Sequence, residues 1–158
     1  NSVQFDKVRA IVDLEKPAHT VYYLKLTPVI VEYVLEAMQI EVDIDWFIQI
    51  FINLVDNAVK FSMNASKRRV DIHCQRLQDG RLQFAVRDYG PGIEADQMKK
   101  IFTLFYRSEN ELTRETVGTG IGLALVHQLA TAMNAEVDVV NCEPGAEFRL
   151  RFACKSTG

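Results

Sequence analysis

From Asp45 to Phe61 the chain runs without a glycine or proline, and Phe47, Ile50, Phe51, Leu54, Ala58 and Phe61 recur at helical spacing. The spacing predicts a helix of about four turns with Asp45 as its N-cap. A helix with an apolar stripe must bury that stripe against a second layer, and the next residues supply one. Lys67 to Arg76 alternates with Val70, Ile72 and Cys74 on one face. Asp79-Gly80 has hairpin-turn chemistry, and Leu82, Phe84 and Val86 resume the alternation.

The pattern then repeats in kind. Gly118-Thr119-Gly120-Ile121-Gly122 leads into a stripe of Leu123, Ala124, Leu125, Val126, Leu129, Ala130 and Met133, a helix ending near Asn134. Glu136 to Val140 and Glu147 to Phe152 read as strands joined by the turn Glu143-Pro144-Gly145-Ala146. Helix, hairpin, glycine loop, helix and hairpin predict one α+β domain over 1–158. Its architecture is a two-layer sandwich, a mixed, mainly antiparallel sheet with helices on one face. Residues 1–36 fit this frame least well. Lys16 closes a mixed segment, Thr20 to Leu26 is rich in strand formers, and Val29 to Met38 reads as a short helix with strand as the alternative.

A chain of 158 residues can bury roughly 70% of its unfolded surface without a disulfide or metal staple. With 48% hydrophobic and 25% charged residues it falls among globular domains rather than disordered ones. The 18 basic and 21 acidic side chains leave a net charge of -3, so the basic excess that drives nonspecific nucleic-acid binding is absent. Cys74, Cys142 and Cys154 form no C-x-x-C pair and read as buried thiols of a reducing compartment, the cytoplasm. No stretch approaches the ~18 to 20 consecutive apolar residues of a membrane span. Asp6, Asp13 and Glu15 stand where a signal peptide would be apolar, and a membrane-anchored parent protein remains compatible with this piece.

Chemistry is concentrated at a few positions. Asn53, Asn57 and Lys60 fall at i, i+4 and i+7 of the first helix and share a face. Asparagine competes for backbone hydrogen bonds inside a helix, so two on one face point either to an outside partner, such as Mg²⁺ with waters and phosphates, or to a solvated polar face. Asp88 followed by Gly90-Pro91-Gly92 puts a carboxylate at a strand end, before a turn that lets a flat ligand approach; an Asp-initiated turn is the plainer alternative. The same residues formally fit the dinucleotide fingerprint G-x-G-x-x-A. That motif needs a parallel βαβ unit, whereas here the strand is the second arm of a hairpin. The glycines before the second helix offer free backbone N–H groups to an anion, or a hinge, without the Lys-Ser or Lys-Thr of a Walker loop. His73 and His127 read as packing or surface residues, and His19 sits in a loop-like setting.

Four segments in this order resemble the N, G1, F and G2 boxes of sensor histidine kinases, over roughly residues 43–152: Asn53-Leu54-Val55-Asp56-Asn57-Ala58-Val59-Lys60-Phe61; Asp88-Tyr89-Gly90-Pro91-Gly92; Ile101-Phe102-Thr103-Leu104-Phe105-Tyr106-Arg107; and Gly118-Thr119-Gly120-Ile121-Gly122-Leu123-Ala124-Leu125. The resemblance implies a Bergerat-type site for ATP and Mg²⁺ under a lid over residues 94–117. It assigns Asn57 to the metal with Asn53 in support, Lys60 to phosphate, Phe61 to a place beside adenine and Asp88 to the adenine amino group. Gly90 and Gly92 would let the base lie close, and Gly118, Thr119, Gly120 and Gly122 would border the phosphates. Leu123 would line the site, and Arg107 would contact phosphate or a partner.

The resemblance further implies transfer of the γ-phosphoryl group to a histidine on a dimerising helical domain, in cis or in trans, with a response regulator downstream. The isolated chain is then expected to be a monomer with no nucleic-acid or membrane contact of its own. No box that would carry the acceptor histidine occurs here, and His19 is followed by Thr20 rather than an acidic residue. Hydrolytic members of the wider fold, and its anti-sigma serine kinases, tend to carry a Glu where this chain has Asn53. A neutral amide is no general base, which favours transfer over hydrolysis. Tyr89 replaces a common Asn or Asp, and Asn134-Ala135 stands in place of a Gly pair. A nucleotide-binding pseudokinase and an anti-sigma-type serine kinase are the alternatives within the fold, and a dinucleotide oxidoreductase is the alternative outside it.

Overall fold

The computed structural model describes residues 7–13, 42–103 and 122–153. Along these the chain forms β1 (Lys7–Asp13), α1 (Ile44–Ser62), β2 (Arg69–Arg76), β3 (Leu82–Arg87), α2 (Gly122–Ala132), β4 (Glu136–Asn141) and β5 (Ala146–Phe152). The strands make a five-stranded sheet in the order β1-β2-β3-β5-β4. Every described pairing is antiparallel, so the α+β sandwich is present with a sheet that is antiparallel, not mixed, throughout its described part. Two tight hairpins account for β2–β3 and β4–β5, and the longer return through α2 lays β5 beside β3.

β1 falls where the sequence reads only as a mixed segment. Its backbone pairs with β2 from Lys7 opposite Gln75 to Asp13 opposite Arg69, at one edge of the sheet. The strand-like run Thr20 to Leu26 and the helix expected after Pro28 lie outside the described residues.

The helix α1 begins two residues earlier than its spacing predicts. The cap is Asp43 rather than Asp45: the Trp46 amide donates to Asp43 Oδ1 at 3.0 Å, and Asp43 has extended backbone while Asp45 is already inside the first turn. Asp45 instead places a negative charge where the helix dipole favours one. At the far end of α2, Asn134 takes φ 55°, with the Ala135 amide on the Ala130 carbonyl at 2.8 Å and the Asn134 amide on Thr131 at 3.1 Å. That is a Schellman closure with asparagine in the left-handed position, and it ends the helix where expected.

The buried face of α1, formed by Phe47, Ile50, Phe51, Leu54, Val55 and Ala58, shares one core with Val126 and Ala130 of α2 and one face of the sheet. The register builds that face in rows. Ile72, Val86, Phe148 and Val139 are successive cross-strand partners, as are Cys74, Phe84, Leu150 and Val137. The other face is polar: Arg149 pairs with Glu147, and Arg151 reaches Gln83 Oε1 at 3.0 Å and Asp138 Oδ2 at 2.7 Å. Cys74 is buried as expected, whereas Cys142, on the turn after β4, is only half-buried.

Phe47 is the hub of the aromatic packing, fully buried, with its ring centroid 4.7 Å from Phe84, 5.8 Å from Phe152 and 6.4 Å from Phe51. Truncation there leaves a cavity between the layers. Phe47→Ala is expected to lower the unfolding free energy by about 3–5 kcal/mol, read as a fall in the urea midpoint with little change in m.

Candidate functional site

Asp88 follows the last residue of β3 and is 2% exposed, although it is a carboxylate. Its amide donates to the Ala146 carbonyl at 2.9 Å, which extends the β3–β5 ladder by one step. Its Oδ1 accepts from the Gly90 amide at 2.9 Å and from the Ala146 amide at 3.3 Å. Both bonds converge on one oxygen, which leaves Oδ2 as an acceptor without a donor among the described residues. Burial pushes the Asp88 carboxyl above the ordinary carboxylate value, opposed by the two backbone donors and by Arg87.

The glycines around this carboxylate are required by contacts within the chain. A Cβ on Gly90 would stand 2.7 Å from the Phe61 carbonyl oxygen and 3.1 Å from Phe61 Cβ, so the strand end can meet the end of α1 only through a glycine. Gly92 has φ +79°, and its Cβ would lie 3.0 Å from Asn141 Oδ1. Gly145, in the β4–β5 turn, has φ +98°, and a Cβ there would collide with the Asp88 carbonyl oxygen. Phe61, Asp88 and Gly90, expected at one site, are thus adjacent.

The amide pair of α1 lies further along the same helix. Asn53 Nδ2 donates to the Gln49 carbonyl at 3.0 Å, so half of this amide is satisfied within its own helix. Its Oδ1 faces the start of α2, 3.3 Å from where a Gly122 Cβ would be. Asn57 is half-buried, and its side chain has no hydrogen-bond partner among the described residues. Lys60 pairs with Asp56 at 3.0 Å in a partly exposed i,i+4 bridge, the kind that contributes little and exchanges readily. From Asn53 to Phe61 the helix rises about 12 Å, so an extended ligand along this face would meet the carboxylate at one end and the α2 N-terminus at the other. Leu123 is half-buried against the core beside that terminus. Gly118, Thr119, Gly120 and Arg107 lie outside the described residues, as do residues 104–117 of the expected lid.

Several contributors were not legible as site residues. Ser62, fully buried, donates from Oγ to the Arg69 carbonyl at 3.1 Å and accepts the Tyr89 amide at 3.2 Å, which fastens the end of α1 to both strands. The Tyr89 hydroxyl donates to Asp71 Oδ2 at 2.6 Å and accepts from Arg69 at 2.8 Å, while Lys67, Arg69 and Arg87 stand 4.5, 5.0 and 4.4 Å from its ring centroid. Gly145 and Ala146 come from a segment read only as a turn, and Asn141 is the last residue of the strand before it. Pro-Gly was the single sequence signal, and it reports backbone shape rather than what the backbone meets. His127 is exposed on α2 with its ring 6.0 Å from Phe102, in keeping with a surface role.

The donor set suits Mg²⁺ in kind. Asn57 presents an unengaged amide, a hard ligand able to complement waters and phosphate oxygens. Among the described residues no group of three or more His, Cys, Asp or Glu side chains forms a metal cage, so a bound ion would take most of its ligands from elsewhere.

The family described as histidine kinase-, DNA gyrase B-, and HSP90-like ATPase matches residues 42–156. The sensor protein kinase WalK of Staphylococcus haemolyticus is 34% identical over 122 residues, covering 76% of this chain and 20% of that protein. WalK of Staphylococcus aureus is 36% identical over 117 residues, 73% of this chain and 28% of that protein. The chain thus spans 20% and 28% of the length of these two curated relatives. Among solved structures, the mycobacterial sensor histidine kinase MprB matches with a TM-score of 0.65 at 20% identity, over 90% of this chain and 97% of that one. Full-length ShkA in complex with AMPPNP matches with a TM-score of 0.61 at 28% identity, over 92% of this chain and 31% of that one.

The raised Asp88 carboxyl has a measurable consequence. Between the unfolded value and the raised folded value the folded chain holds more proton, so this group's contribution to stability is largest at low pH and falls as pH rises through the folded value. Asp88→Asn keeps an oxygen for the Gly90 and Ala146 amides and removes the buried charge. In the nucleotide-free chain it is expected to raise the unfolding free energy at pH 7, with the gain shrinking as pH falls through the carboxylate range. Urea titrations over a pH series check this, and a variant less stable than wild type at pH 7 would contradict it.

Proposed function

The chain belongs to the histidine kinase-, DNA gyrase B- and HSP90-like ATPases, and from that premise we propose that it is the catalytic ATP-binding domain of a sensor histidine kinase. In this reading it binds Mg²⁺-ATP and passes the γ-phosphoryl group to a histidine on a separate dimerisation domain. The observation that carries it is the buried Asp88 carboxylate, held through one oxygen and set against the end of a helix that presents Asn53, Asn57 and Lys60. The sensor-kinase identity of its curated relatives, and the AMPPNP bound to ShkA, support the same assignment.

Asp88 Oδ2 accepts the exocyclic amino group of adenine, with Phe61 beside the base. The carboxylate must be ionised to accept fully, and the bonds from Gly90 and Ala146 offset part of its burial cost. Asn57, supported by Asn53 Oδ1, would hold Mg²⁺, which supplies charge neutralisation on the phosphates. Lys60 exchanges Asp56 for phosphate, and the backbone amides of the glycine-rich segment that precedes α2 in the sequence, Gly118 to Gly122, would take phosphate oxygens. Arg107 adds a positive charge to the phosphates or to the partner domain.

The acceptor ring nitrogen forms the N–P bond as the bond to the β–γ bridging oxygen breaks and ADP leaves. The proton on the other ring nitrogen passes to the acceptor domain or to solvent. This chain supplies positioning and electrostatics rather than a base, since Asn53 is neutral. The acceptor domain acts in cis or in trans, and a response regulator takes the phosphoryl group next. The site operates in the cytoplasm, and no described helix is long and apolar enough to cross a membrane.

Calorimetric titration of ADP with and without Mg²⁺ tests the binding half. Wild type should bind saturably and more tightly with Mg²⁺. Asp88→Asn should weaken binding about 10–100-fold, the cost of a lost hydrogen bond to a charged group, and Asn57→Ala should abolish the Mg²⁺ dependence. With labelled ATP and a histidine-bearing dimerisation domain, acid-labile phosphohistidine is expected. Nucleotide binding without any such product across cognate partners would leave a regulatory pseudokinase in its place.

A further inference from the structure

The loop from Asp88 to Ile93 is strapped at both ends to the strand ends that flank the β4–β5 turn. At its start Asp88 and Ala146 exchange backbone and side-chain hydrogen bonds. At its end the carboxamide of Asn141, the last residue of β4, does two things at once. Oδ1 accepts the Ile93 amide at 2.9 Å, and Nδ2 donates to the Ile93 carbonyl at 2.7 Å. Ile93 lies in no strand, so this one side chain takes the place of a ladder rung between segments 48 residues apart. Gly92, the residue before it, fits only because it lacks a side chain where Asn141 Oδ1 and the Gly145 carbonyl stand 3.0 and 3.3 Å from a would-be Cβ.

The direction of Asp88 Oδ2 depends on this loop as well as on β5, because Oδ1 is shared between the Ala146 amide at 3.3 Å and the closer amide, at 2.9 Å, of Gly90, a residue of the loop itself. We propose that Asn141 is a positioning residue for base selection: by clamping the far end of the loop it holds the Asp88 carboxylate where an amino group is accepted and a carbonyl is repelled. The proposal rests on the adenine-nucleotide reading of the site. A rigid acceptor discriminates because the wrong base leaves it facing another acceptor without a proton between them. A loosened loop lets the carboxylate retreat and a water bridge the gap, so the preference shrinks even where binding persists.

The test is the ratio of dissociation constants for ADP and inosine diphosphate, which carries a carbonyl in place of the amino group. The full chain is compared as wild type, Asn141→Ala and Asn141→Asp. The ratio cancels any loss of folded protein, because unfolding removes sites for both nucleotides equally. Asn141→Asp keeps the acceptor for the Ile93 amide, loses the donor, and is near enough in shape to fold if the alanine variant does not. Wild type should prefer ADP, and both variants should compress that preference about tenfold. A wild type that discriminates while the folded variants keep its ratio overturns the role of Asn141 alone. A wild type that binds both equally, or binds neither, overturns the adenine reading and this proposal with it.

Discussion

Gly145 lies so close to Asp88 that a side chain on the glycine would occupy the space of the aspartate's carbonyl oxygen, and much of the remaining site geometry follows from that approach. It requires φ +98° at residue 145, a conformation that only glycine adopts without strain. It brings the Ala146 amide onto Asp88 Oδ1 and the Ala146 carbonyl onto the Asp88 amide, so β5 both continues the sheet and orients the carboxylate. From there Gly90 turns into the space beside Phe61, and Gly92 into the space beside Asn141. Two glycines of one loop, Gly90 and Gly92, and Gly145 from a distant turn therefore solve one problem, the convergence of a strand end, a helix end and a hairpin turn around a buried acid.

The sheet and α1 make that convergence affordable because they are tied together twice. The apolar rows Ile72–Val86–Phe148–Val139 and Cys74–Phe84–Leu150–Val137 fix the register of four strands against the helices, since a slip by one residue would turn every row to the polar face. Ser62 adds a polar tie at the end of the helix, its single hydroxyl serving β2 and the residue after Asp88. One face of α1 thus belongs wholly to the core, and its neighbouring face carries Asn53, Asn57 and Lys60 at fixed height above the sheet.

What the sequence disclosed tracks how local each signal is. Periodicity identified α1, α2 and both hairpins, because burial of one face imposes a repeat that can be counted. It missed β1, where Val8, Ala10 and Val12 alternate with charged residues but Ile11 breaks the pattern, and edge position tolerates that charge. Asp43 and Asp45 are equivalent as letters, and only the backbone conformation at 43 selects the cap. Asp88, Gly90 and Asn53 were singled out through their type and order, and the structure brings Asp88 and Gly90 together. Asn141, Ser62 and Gly145 were not, because their importance lies in partners 48, 27 and nearly 60 positions away, which no spacing rule reports. Gly90 and Gly92, expected to serve a ligand, are each demanded by contacts or backbone conformation within the fold itself.

The straps around Asp88 also answer an electrostatic problem. A carboxylate this buried is destabilising when ionised, and the chain could have relieved the cost by giving both oxygens donors. Among the described residues it gives donors to Oδ1 only, so the folded domain keeps Oδ2 as an acceptor open to a further partner. Such a group would relax toward water if its backbone were free to move. Its survival requires that every neighbouring segment be held by something other than the carboxylate: the β3–β5 ladder before it, Ser62 beneath Tyr89, and Asn141 beyond Gly92. Rigidity here is what lets a buried acid keep one oxygen without a donor among the described residues, and the apolar core supplies the stability that this arrangement gives up.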